Sequence, residues 1–161
     1  LKNDVETQKA WANGWFNTGD IVKADEAGFL YFIDRKKNII RRSGENIAAV
    51  EIESVLNRHT SIKICAAAAA KDDLRGEEVA VLIILNNNSD NSDNYDTAVN
   101  IVSWALNEMA YYKVPGLIKF VTELPLTATQ KVRRGDLKKI VENMKNNNEF
   151  HDMRNLKKRQ L

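Results

Sequence analysis

The stretch "TATQKVRRGDLKK", residues 127 to 139, sets Lys131 among small and hydroxyl residues just ahead of a basic run. A lysine in such a loop can deliver a point charge to a phosphate, or to negative charge developing in a reaction, if another surface supplies the rest of the site. The plainer alternative is one solvated lysine among 24 basic residues. Thr18-Gly19-Asp20 places a carboxylate at the entry to a strand, behind a glycine that lets the backbone approach a ligand. Such a carboxylate can accept both hydrogens of a ribose diol, although Gly-Asp is equally an ordinary turn. Arg35, Lys36 and Lys37 form one basic step, and Arg41 and Arg42 form another. Ser43-Gly44-Glu45-Asn46 reads as a hairpin turn, and a glycine turn also lets a narrow linear ligand slide past backbone.

These residues need elements to carry them, and 161 residues suffice for one ordinary domain with an appendage. Hydrophobic content of 43% and charged content of 29% are those of a globular protein, and no apolar run reaches the roughly eighteen residues that cross a bilayer. The opening "LKNDVETQKAWANGW" is too polar for a signal peptide and reads as a cut inside a larger protein. Cys65, the single cysteine, lies in the apolar run "IKICAAAAA", where a buried inert thiol is expected, and two histidines leave little for a metal site. Net charge is only +2, but "KVRRGDLKK" and "RNLKKRQL" are basic; they suit either a solvated face or contact with phosphate.

Residues 1–19 show no period and read as a loop. "DIVKADEAGFLYFID" predicts a hairpin with strands near 20–24 and 28–33, and Ile39-Ile40 ahead of Ser43-Gly44 predicts a second, smaller one. Ile52, Val55, Leu56 and His59 recur at helical spacing, so a helix is expected over 49–58. Residues 62–70 are ambiguous: the alanines favour helix by propensity, whereas "IKIC" and the second apolar run at 77–85 favour a pair of buried strands, the reading taken here. "NNNSDNSDNYD" is a polar connection at 86–96, followed by a helix over 96–110 on Ala98, Ile101, Val102, Ala105, Leu106 and Met109. Pro115 breaks the chain, "LIKFV" at 117–121 is a strand, and Leu137, Ile140, Val141 and Met144 make a last amphipathic helix before a polar tail. Strands and helices alternating in this way predict an α+β domain, a short hairpin plus a small three-stranded sheet packed with helices.

The order of "GWFNTGD", "GFLYFIDRKKNIIRRSGENIAAVEIESVL", "YYKVP" and "FVTELPLTATQKVRRGDLKK" resembles the C-terminal part of the adenylate-forming acyl-CoA synthetases, the superfamily that includes luciferases and peptide-synthetase adenylation domains. The resemblance runs from about Trp11 to about Ile140. It implies that residues 1–34 end a large N-terminal adenylation domain, that 35–37 are a hinge, that 38–145 are the small C-terminal domain and that 146–161 are a polar tail. By the same resemblance Thr18, Asp20 and Arg35 bind the ATP or AMP, Lys37 is the residue about which the small domain turns, and Lys131 meets the acyl carboxylate and phosphate. Ser43, Gly44 and Glu45 then wall the passage for the pantetheine arm of CoA.

The implied reaction joins a carboxylic acid to CoA through an acyl-adenylate, with ATP and Mg²⁺, in the cytoplasm. Gln130 and Asp34 stand where many members have glycine, and Asn46 stands where some have an arginine; Arg41 and Arg42 are the candidates to replace that contact with the CoA nucleotide. Lys131 is also a candidate for a lysine acetyltransferase and deacetylase, since acetylation removes the charge. Two rivals remain at this stage. One is an adenylation domain or acyl-AMP ligase that loads a carrier protein; the other is a basic module that binds nucleic acid through the tail.

Overall fold

The computed structural model describes residues 3–86 and 94–157, which fall into two units, Leu1–Lys37 and Asn38–Leu161. In the first, helix α1 (Asp4–Ala10) leads to a ribbon of β1 (Trp11–Ala12) and β2 (Trp15–Phe16), turned by Asn13 and Gly14 at positive φ. A second ribbon pairs β3 (Asp20–Ala24) with β4 (Leu30–Arg35). Asp25 makes its turn, since Oδ1 accepts from the Ala27 and Phe29 N–H groups at 3.0 and 2.9 Å. The region expected to be loop thus holds a helix and a small ribbon. Its helix has no apolar stripe to read, because Val5 is exposed. On β4, both alternating faces are bare: Leu30 and Phe32 point one way, Tyr31 and Ile33 the other, and all four are exposed.

The second unit is built on one six-stranded sheet. Its strands are β5 (Ile39–Arg42), β6 (Glu45–Ala48), β7 (Ile62–Asp72), β8 (Gly76–Leu85), β9 (Leu117–Phe120) and β10 (His151–Asp152). β8 is the axis. β7 runs antiparallel along its whole length on one side; on the other, β9 runs parallel beside Ala80–Ile83, and β5 meets Gly76 through Arg42. The sheet is wider than the three strands expected, because the β5–β6 hairpin joins it at that single residue pair and β10 adds to β9. Helices α2 (Ala49–Leu56) and α3 (Tyr95–Glu108) cover one face, and α4 (Arg134–Asn146) covers the other. Part of the expected 86–96 connection, residues 87–93, lies outside the described residues, as do tail residues 158–161.

Two helix layers explain the alanine run. Cys65, Ala67 and Ala69 face the α2–α3 core, while Ala66, Ala68 and Ala70 face the α4 core. A strand buried on both faces has room only for small side chains where helices press close, so packing overrides the helical propensity of alanine. Cys65 is 2% exposed, and burial pushes its thiol up to about 12, the inert thiol expected.

β7 pairs with the sheet on one side only, yet its other edge is buried. Side chains close that edge. Asn57 Oδ1 accepts from the Cys65 N–H at 3.0 Å, Glu53 Oε1 accepts from the Ala67 N–H at 2.7 Å, and Arg134 Nη1 donates to the Ala67 carbonyl at 3.1 Å. Arg134 also grips both oxygens of Glu53, at 2.6 and 2.7 Å. A second ionic cluster lies in β8: the Glu78 carboxylate, wholly buried, takes Arg42 Nε at 3.0 and 2.9 Å and Lys157 Nζ at 2.6 Å. Gly116 leaves the space for it, since a Cβ there would sit 2.5 Å from Glu78 Cδ. Burial pulls the Lys157 ammonium down to about 8, the Glu78 charge working against that pull.

Removing one partner of such a pair strands the other charge. Arg134→Ala should therefore cost about 2–4 kcal/mol, below the fully buried range because the guanidinium keeps some solvent contact. Urea unfolding measures it, and a loss under about 0.5 kcal/mol, the size of an ordinary surface substitution, would contradict the structural role of the pair.

Candidate functional site

Asp20 and Arg35 face each other as the first residue of β3 and the last of β4, and Arg35 Nε lies 3.3 Å from Asp20 Oδ1. The guanidinium is 58% exposed and the carboxylate 29%, so both keep capacity for a polar ligand. The turn before them is set locally. Asn17 Oδ1 accepts from the Gly19 N–H at 2.9 Å, Thr18 Oγ1 accepts from the Asp20 N–H at 3.1 Å, and Gly19 takes φ +73°. The Thr18 hydroxyl thus shapes the turn that presents Asp20. Asp34, where a glycine had been the familiar residue, is buried and accepts from the Arg35 N–H at 2.7 Å.

Lys36–Asn38 form a single 3₁₀ turn between β4 and β5, and the two units part directly after Lys37. Lys37 is exposed.

Ser43 and Gly44 are the two central residues of the β5–β6 hairpin, both at positive φ, +50° and +86°. That geometry is the two-residue turn that matches strand twist. Ser43, Gly44, Glu45 and Asn46 are all exposed, and the Ser43 N–H donates to the Arg75 carbonyl at 2.9 Å, which ties the turn to the tip of the β7–β8 hairpin. Of the two arginines expected to stand ready for a nucleotide, only Arg41 is exposed. Arg42 is corrected: strand alternation turns it inward with Ile40, where it is committed to Glu78.

Lys131 lies in a small hairpin closed by the Leu126–Val132 bridge. The Thr127 N–H donates to the Lys131 carbonyl at 2.7 Å, the Lys131 N–H donates to Thr127 Oγ1 at 3.1 Å, and Gln130 supplies the turn at φ +61°. The lysine itself is exposed. Arg134, the first residue of α4, fastens the hairpin's downstream leg to Glu53 and to β7. A cleft of about 890 Å³, lined by Phe120, Leu126, Thr127, Gln130, Arg133 and Met144 among others, flanks the hairpin.

The structure joins Asp20 to Arg35 and makes one turn of Ser43, Gly44 and Glu45, but it does not join that turn to Lys131. The turn abuts the Gly76 end of β8, while the chain leaves β9 for the lysine hairpin beside Ile83, where the Val121 N–H donates to the Ile83 carbonyl at 2.9 Å. At ~3.3 Å per residue Gly76 and Ile83 are roughly 23 Å apart along β8. Two exposed loops therefore ride on one sheet at separate places. Sequence reasoning passed over Glu53, Arg134, Glu78 and Lys157, although a glutamate beside Ile52 on the buried stripe of α2 is a readable sign of a buried ion pair. Among the described residues no group of acidic, histidine or cysteine side chains is gathered to hold a metal ion, and no helix is long and apolar enough to cross a membrane.

Residues 51–131 match the family model of the AMP-binding enzyme C-terminal domain, a span that begins in α2 and ends on Lys131. A crotonobetaine/carnitine–CoA ligase of Salmonella paratyphi B is 35% identical over 125 residues, 78% of this chain and 23% of that protein. The solved o-succinylbenzoate CoA synthetase of Bacillus subtilis, in complex with its acyl-adenylate intermediate, superposes with a TM-score of 0.69 at 30% identity, over 81% of this chain and 26% of that one. A fatty acyl CoA synthetase of Mycobacterium tuberculosis superposes with a TM-score of 0.64 at 31% identity, over 86% and 26%. The chain spans about a quarter of the length of these relatives. With half of its residues under the family model, the chain belongs to the AMP-binding enzyme C-terminal domain family.

Proposed function

We propose that this chain is the C-terminal part of an ATP-dependent acyl-CoA synthetase, which converts a carboxylic acid, ATP and CoA to acyl-CoA, AMP and diphosphate. The observation that carries the reading is the separation of two exposed loops along one sheet, the Ser43–Gly44 turn by Gly76 and the Lys131 hairpin reached from beside Ile83. A single rigid body then offers one loop to adenylation and the other to thiol transfer. The CoA ligases and synthetases among its relatives support the same chemistry.

In the first half-reaction the acid's carboxylate oxygen attacks the α-phosphorus of ATP and diphosphate leaves. Two anions must meet, and the Lys131 ammonium lowers the cost of bringing them together. Asp20 accepts the ribose hydroxyls and Arg35 donates to them. The described residues gather no acidic cluster for the Mg²⁺ that accompanies ATP in this reading, so this chain's share of charge neutralisation is Lys131. The second unit then turns at Lys37, Lys131 withdraws, and the Gly44 turn lines the path along which the CoA thiol reaches the acyl carbon and displaces AMP. The exposed apolar faces of β3–β4 support a larger N-terminal domain packed on that ribbon. Dependence on ATP and CoA suits the cytoplasm, and a lysine acetyltransferase could silence adenylation at exposed Lys131.

The full-length enzyme with ATP, a panel of carboxylic acids and free CoA tests the reading by chromatographic detection of acyl-CoA. Adenylate formed with no acyl-CoA would favour transfer to a carrier protein instead. Lys131→Ala in the same enzyme should lower adenylate formation by about a hundredfold or more, the scale of losing one preorganised charge, while transfer from supplied acyl-adenylate to CoA stays within about threefold. Equal loss of both steps would refute the division of labour between the two loops.

A further inference from the structure

The polar run after α4, read from sequence as a tail, is built into the sheet. His151 and Asp152 form β10 against β9, Met153 is fully buried, and its N–H donates to the Gly116 carbonyl at 2.8 Å. The family model stops at Lys131, so this segment lies outside it. Two chains of contact run from it to the Ser43–Gly44 turn. Along the first, Lys157 Nζ donates to Glu78 Oε1 at 2.6 Å, and Glu78 holds Arg42 Nε, the residue at the base of the turn. Along the second, Arg154 Nη1 donates to Asp72 Oδ2 at 2.9 Å. Asp72 Oδ1 accepts from the Leu74 and Arg75 N–H groups at 3.1 and 2.9 Å, and the Arg75 carbonyl receives the Ser43 N–H at 2.9 Å. Both chains end at the same turn.

We propose that residues 151–157 are a strap that positions the Ser43–Gly44 turn for the thiol-transfer step, with Lys157 and Arg154 as its positioning residues. The physical ground is that a buried carboxylate cannot stay put without its partners. Glu78 Oε1 takes the Lys157 ammonium and the Val79 N–H, and both of its oxygens take Arg42 Nε, so removing the ammonium strips a buried charge of one partner and weakens the hold on the strand end that bears the turn. Asp72 does the same for the facing hairpin tip: burial works against its charged form, and the Arg75 N–H and Arg154 guanidinium outweigh it and hold its carboxyl below the usual range. The effect on CoA rests on the reading of this turn given under the proposed function; the mechanical coupling does not.

The test uses the full-length enzyme carrying Lys157→Met, or Arg154→Ala, which leaves the buried Glu78 cluster intact. Hydrogen exchange of peptides covering residues 41–48 should speed up by about tenfold in both variants while α3 stays protected. The KM for CoA should rise by about tenfold, with acid-dependent adenylate formation within about twofold of wild type. If Lys157→Met fails to fold, Arg154→Ala decides. Unchanged exchange at 41–48 overturns the strap, and so does parallel loss of both half-reactions with faster exchange throughout the sheet. Faster exchange at the turn in an enzyme whose wild type makes no acyl-CoA upholds the strap and overturns the functional reading.

Discussion

A buried edge strand, with a sheet partner on only one side, must find other partners for its second row of backbone groups, and β7 depends on that solution. Glu53, Asn57 and Arg134 supply the missing hydrogen bonds, so the edge that would otherwise carry unpaired N–H and C=O groups is closed by a carboxylate, an amide and a guanidinium. Both helices that press on β7 are fixed by the same contacts, α2 through Glu53 and α4 through Arg134. The Lys131 hairpin precedes α4 by two residues, and its position is therefore a by-product of how the strand edge is satisfied.

At the other end of the sheet, one buried carboxylate does comparable work. Glu78 orients Arg42, and through it the base of the glycine turn, while Gly116 makes room for the side chain. The lysine end and the glycine end are thus each pinned by an acid buried in the sheet's packing, and β8 is the rigid rod between them. A rigid rod with a different loop at each end suits the proposed domain alternation, in which turning the whole unit would exchange one loop for the other without remodelling either.

Much of this was legible in the residues. Apolar spacing at 98–109 and 137–144 marked helices within two or three residues of their bounds, and the two buried runs at 62–70 and 77–85 paired as strands despite the alanines. The motif residues fell where a ligand could reach them: Asp20 and Arg35 paired across a ribbon, Ser43 and Gly44 at a hairpin tip, Lys131 exposed on its own hairpin. What escaped was every interaction joining residues far apart in sequence. Arg42 read as a candidate nucleotide contact because its partner Glu78 is set 36 residues away, and nothing in "RNLKKRQL" shows that Lys157 will be buried against it. Helix α1 escaped for the opposite reason, since it buries too little apolar surface to leave a period.

In the proposed function the second unit presents the lysine hairpin and the glycine turn by turns. Amine-reactive footprinting of the full-length enzyme, read by mass spectrometry at Lys131, measures this directly. Lys131 should be shielded when ATP and acid occupy the site and should label freely when acyl-adenylate and CoA are bound. Equal labelling of Lys131 in the two states would contradict the claim.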